Sequence, residues 1–146
     1  MGLDMYLRAT KSLHRSDDFE TVEKIKDLTG SSLIPRHIVF DAMYWRKSNA
    51  IHKWFVDNVQ DGEDDCREYD VSVDDLKSLY DLLKKMLAMP KDEAAKLLPT
   101  TSGFFFGSTD YDEYYWSDII DTVVSLKKLL DCPDVNNYWF TYQSSW

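Results

Sequence analysis

The sequence predicts an α+β fold, a small and mostly antiparallel sheet packed with three to four helices, forming a single domain over residues 1–146. Three observations carry that expectation. Segments with the two-residue period of strands are mixed with segments at helical spacing, without the regular alternation of a wound parallel sheet. The closing residues NNYWFTYQSSW alternate aromatic and polar types as a strand does, so the end of the chain joins the sheet. No repeat, low-complexity stretch or Pro-rich linker divides the chain, and 44% hydrophobic residues supply one continuous core.

Near the start, Leu3, Met5 and Leu7 alternate with Asp4, Tyr6 and Arg8, giving a strand over Gly2 to Ala9. Ser16 precedes DDFETVEKIKDL, where Phe19, Val22 and Ile25 share a helix face and Gly30 lies beyond the end. After the turn SSLIP, His37-Ile38-Val39-Phe40 reads as a strand, and Asp41 is placed to cap a following helix that carries YWRKSNAIHKWFVDNVQ. That helix has an apolar stripe of Ile51, Phe55 and Val59, with Trp45, Asn49, His52 and Lys53 on another side.

The acidic loop DGEDDCREYD leads through Val71-Ser72-Val73 to a third helix, where Ser72 and Asp75 form a capping box. Leu76, Leu79, Tyr80, Leu83 and Leu87 repeat along it until Pro90 interrupts. A short helix is expected in KDEAAKLL before Pro99. The three phenylalanines between Gly103 and Gly107 read as a brief buried strand bracketed by turns. Trp116, Ile119, Ile120, Val123 and Leu130 define a last helix, with Lys127 and Lys128 near its negative end.

Seventeen basic against 26 acidic residues give a formal charge of −9, which opposes binding along a phosphate backbone. Cys66 and Cys132 lack the paired spacing of a zinc site, and no apolar run suits export or a bilayer span. Cytoplasmic residence with free thiols is the expectation. No metal ligand set, cofactor motif or nucleophile setting is present, and His14, His37 and His52 are dispersed, so the reading leans away from an enzyme.

Chemistry is suggested at three places. Tyr44, Trp45, Arg46, Lys47, Asn49, His52 and Lys53 concentrate cations in an otherwise acidic chain. Arg46 can grip a phosphate with two donors, Lys47 and Lys53 add point charge, and Trp45 offers a ring for stacking. Thr100, Thr101, Ser102 and Gly103, with Gly107, Ser108 and Thr109 beyond, let hydroxyls and backbone amides approach a phosphate or a ribose. Tyr111, Tyr114, Tyr115 and Trp116 supply rings beside Asp110, Asp112 and Glu113. Each place has a plainer explanation: a solvated helix face, two turns around a core strand, and a subunit interface rich in Tyr and Trp.

The strings MGLDMYL, YWRKSNAIHKWFV, LPTTSGFFFGSTDYDEYYW and YQSSW together resemble a family of small phage-encoded and prophage-encoded proteins that carry no assigned reaction. The resemblance implies a host-cell cytoplasmic setting and an accessory role against host defence. Two modes suit that role: capture of a nucleotide signal in a pocket, commonly in a homo-oligomer, or coverage of a host protein.

The leading expectation is a non-enzymatic binder of a small anionic, nucleotide-like ligand. It uses Tyr44, Trp45, Arg46, Lys47, Asn49, His52 and Lys53 with Thr100, Thr101, Ser102, Gly103, Tyr111 and Tyr115, and it requires the two stretches to share a positively biased hollow. The alternative is an acidic, DNA-mimicking inhibitor of a host nuclease or DNA-binding protein, acting through the DGEDD and DYDE carboxylates. A nucleotide hydrolase with His52 as base is a third reading. No membrane partner and no direct nucleic-acid partner are expected.

Overall fold

A computed structural model describes residues 2–146. The elements are β1 (Asp4–Ser12), α1 (Phe19–Thr29), β2 (His37–Arg46), α2 (Asn49–Asn58), β3 (Tyr69–Val71), α3 (Val73–Leu87), α4 (Lys91–Ala94), α5 (Glu113–Leu130), a 3-10 turn (Val135–Asn137) and β4 (Trp139–Ser145). The strands form one antiparallel sheet in the order β2-β1-β4-β3, so the α+β expectation holds.

β1 sits inside the sheet because its alternation is strict. Met5, Leu7 and Ala9 are buried on the side that carries the core, whereas Asp4, Tyr6 and Arg8 point the other way and stay partly exposed. The strand runs past Ala9 to Ser12 because His37 and its neighbours pair with it there. β4 pairs with β1 on one side and β3 on the other, which puts the C-terminal strand in the interior of the sheet. On its core face Tyr142 stacks flat on Phe55 of α2, with ring centroids 3.9 Å apart.

β2 corrects the sequence reading. Asp41 does not cap a helix; the strand continues through Tyr44, Trp45 and Arg46, and the helix begins only at Asn49. Pairing along the whole of β1, together with burial of Met43 and Trp45 under the sheet, outweighs the helical periodicity of that segment. The register skips Ala42 between the pairs Leu7–Met43 and Arg8–Asp41, a bulge that restores alternation on both sides.

Three helices cover the core face. α3 buries Leu76, Leu79, Leu83 and Met86, and α5 buries Trp116, Ile119 and Leu126 against the same cluster. The capping box is formed as expected: the Ser72 hydroxyl accepts from Asp75 N, and the Asp75 carboxylate accepts from Ser72 N. α1 ends at Gly30 in the left-handed conformation and buries only Val22, leaving Phe19 in solvent. The second correction concerns the phenylalanines: Phe104–Phe106 form a turn, not a strand, with Phe104 92% exposed and only Phe106 in the core.

Among the described residues no helix is long and apolar enough to cross a membrane, and both cysteines are free. Ser72→Ala removes an exposed cap without touching the core, and is expected to lower stability by about 1 kcal/mol with an unchanged denaturant slope in urea titration.

Candidate functional site

Asn49, the first residue of α2, organises the loop that bears the Thr and Gly residues. Its side chain is buried, and its amide nitrogen donates to the carbonyls of Phe106 (3.0 Å) and Ser108 (2.8 Å), while its oxygen accepts from Thr101 N (3.0 Å). The loop is closed further by the Thr100 hydroxyl, which donates to Thr109 O, and by the Tyr115 hydroxyl, which donates to Leu98 O. Burial pushes the Tyr115 pKa up, so that hydroxyl keeps its proton.

The chain enters α2 through Lys47, whose φ of 57° lies in the left-handed region and whose N–H donates to Leu3 O. Its stem lies against Gly107, where an added Cβ would stand 3.1 Å from Lys47 Cβ. Gly107 also has φ of 82°, so two constraints select glycine there.

The result is a cleft of about 300 Å3 between the starts of α2 and α5. One wall carries Arg46, Lys47 and the first turn of α2, which has no side-chain cap and no acidic residue, so its leading amides add positive field. The facing wall carries Asp110, Asp112, Asp118 and Tyr114, with Thr100 and Ser108 on the loop side. Asp112 caps α5 by accepting from Tyr114 N and Tyr115 N. Half-burial raises the Asp118 pKa; the Ser48 hydroxyl offsets this in part, and the nearby Asp121 and Asp112 charges add to it.

The expected site is therefore joined in part and divided in part. Arg46, Lys47, Asn49, Thr100 and Tyr115 do share one hollow, but its three carboxylates make it mixed in charge rather than simply positive. His52, Lys53, Thr101, Ser102 and Gly103 line a different cleft. Trp45 is not available to stack on a ligand, because it is buried with its indole donating to Thr122. Tyr44 stands on the opposite face of the sheet and donates to Asp4, and Tyr111 lines a third depression with Lys91 and Trp116.

His52 is not a surface base: its ring is fully buried, with Nδ1 2.7 Å from the Tyr142 hydroxyl and Nε2 2.9 Å from Asp64. Asp118 was outside the expected set. Its signal was present at Asp112, Tyr115 and Asp118, three residues apart, which places the second acid nearly two turns beyond the cap on the same side of the helix.

Fold and site together define an antiparallel α+β domain with a dipolar cleft at paired helix starts. No family model, curated protein or solved structure matches the chain.

Two outcomes test this description. Asn49→Ala orphans three loop groups, so it should cost about 2 kcal/mol or more and speed hydrogen exchange at Thr101 while α3 amides stay protected. Asp118→Asn should raise the melting temperature at pH 7, because a carboxyl whose folded pKa is raised loses stability as pH climbs through it. That gain closes below about pH 4, where both folded and unfolded states hold the proton, and a gain of equal size at pH 3 contradicts the description.

Proposed function

We propose that the protein captures a small anionic, nucleotide-like ligand in the cleft between α2 and α5 and holds it without turnover, as a phage-encoded accessory protein acting against host defence signalling. The carrying observation is that Arg46, Lys47 and the uncapped α2 start line one cavity together with Asp118, Asp112 and Tyr114. A phosphate suits the first wall, where a bidentate guanidinium, an ammonium and backbone amides converge. Sugar hydroxyls or an exocyclic amine suit the second, since carboxylates accept from both and Tyr114 presents a ring beside them. About 300 Å3 lies at the small end of ligand pockets, which favours one nucleotide unit rather than a polymer.

Two neighbouring features support capture over simple surface charge. The loop wall is fixed by Asn49 before any ligand arrives, which lowers the ordering cost of binding. Gly2 leaves room beside the cationic stems, as a Cβ there would lie 3.1 Å from Lys47 Cε.

Thermal melting against cyclic nucleotides, mononucleotides and ADP-ribose-type compounds tests the proposal. A binder should raise the melting temperature, be recovered chemically intact on denaturation, and lose most of its shift with Arg46→Ala, whose exposed side chain is dispensable for folding. No shift with any compound and no bound mass overturns capture; steady product formation replaces it with hydrolysis.

A further inference from the structure

The second cleft, of about 540 Å3, has the opposite chemistry, and its defining residues are His52, Lys53, Asp57, Asp64, Phe104 and Trp146. Lys53 is engaged with Asp57 at 2.6 Å, so those two charges cancel. Asp64 meets no Lys or Arg among the described residues; its oxygens are held by Trp146 Nε1 at 3.0 Å and His52 Nε2 at 2.9 Å.

The donors behind Asp64 are fixed from the core outward. Tyr142 is fully buried, burial pushes its pKa well up, and its hydroxyl has one partner among the described residues, Nδ1 of His52. A ring with its hydrogen on Nε2 satisfies both contacts, the Tyr142 hydroxyl donating to Nδ1 and Nε2–H donating to Asp64. Each carboxylate oxygen then has a lone pair to spare, and the Asp64 side chain is 27% exposed toward the cleft.

Two rings line the cleft with this carboxylate. Trp146 is 48% exposed and packs edge-on against Phe106, and Phe104 is 92% exposed at the tip of its turn. The turn is held rigidly: Phe106 N donates to Gly103 O, and the Phe106 ring lies so close to Gly103 that an added Cβ would stand 2.5 Å from it. The Phe104 ring packs edge-on against Phe105 and otherwise faces solvent, and with Trp146 it offers π faces in the same cleft as a carboxylate that no Lys or Arg pairs among the described residues.

We propose that this cleft binds an organic cation, a guanidinium or primary ammonium group, seated on Asp64 and flanked by the Trp146 and Phe104 rings. The site shares no ionisable residue with the α2–α5 cleft, so it stands whether or not that cleft takes a nucleotide.

Titration of isotope-labelled protein with arginine methyl ester, lysine methyl ester and the neutral isostere citrulline methyl ester reads the site through the Trp146 indole N–H resonance. Saturable shifts are expected with the two cations and not with citrulline. Phe104→Ala, which alters an exposed ring only, should weaken binding roughly two- to fivefold with unchanged melting. Asp64→Asn should weaken it about tenfold or more. An Arg-containing hexapeptide that binds more tightly than the ester assigns the cation to a peptide source, and equal affinity assigns it to a small amine. No shift with either cation, an equal response to citrulline, or wild-type affinity in both variants overturns the proposal.

Discussion

The three hydrogen bonds of the Asn49 side chain are the constraint on which the functional half of the molecule depends. A loop with two glycines and several hydroxylated residues has many conformations of similar energy, and ordering it costs on the order of 1 kcal/mol per residue. One buried amide resolves the choice by holding two carbonyls and one N–H of the loop, the Phe106 carbonyl among them buried. The bonds at Leu3, whose N–H donates to Phe105 O and whose carbonyl accepts from Lys47 N, bind the same loop to the first strand and to the start of α2. Cleft walls built this way are set by the fold rather than by a ligand.

α2 is thus joined to the rest of the protein along several sides. Its first residue holds the loop, His52 reaches through Tyr142 into β4, and Phe55 stacks on that same tyrosine. The stack and the hydrogen bond converge on one side chain, which explains why a phenol, and not a phenylalanine, suits the centre of the sheet: the hydroxyl satisfies a buried imidazole that would otherwise present an unpaired nitrogen. The ring orientation fixed at His52 is passed to Asp64 and from there to Trp146, so the geometry of the second cleft is a consequence of core packing.

The parts of the fold legible in the sequence are those where local chemistry and tertiary burial agree. The Ser72–Asp75 box, the Leu76–Leu79–Leu83 face and the alternation of β1 each state one answer at both levels. The β2–α2 junction was misread because YWRKSNAIHKWFV has helical periodicity throughout, and only pairing with β1, a partner more than thirty residues distant, holds its first part extended. The phenylalanines misled for a related reason. Three apolar residues in a row suggest a buried strand, yet the turn buries one of them and exposes another. As to the site, Arg46, Lys47 and Thr100 line one cleft, whereas Thr101 fell on the other side of the loop. Successive residues of extended backbone face opposite ways, and sequence supplies no means of choosing the phase before Asn49 is known to bind the backbone there.

A net charge of −9 and the proposed phosphate-binding role of the α2–α5 cleft are compatible once distance is considered. At physiological salt, exposed charges farther apart than about 8 Å are largely screened from one another, so acids on remote surfaces contribute little inside a cleft. What remains is local: a guanidinium, an ammonium and uncapped helix amides against the carboxylates of the facing wall. Such a site penalises a ligand that is anionic throughout, because its far end would meet Asp112 and Asp118 without a donor to offer. It rewards one whose charge is confined to one end and whose other end gives hydrogen bonds, and that asymmetry excludes inorganic phosphate chains more strongly than it excludes a nucleoside monophosphate.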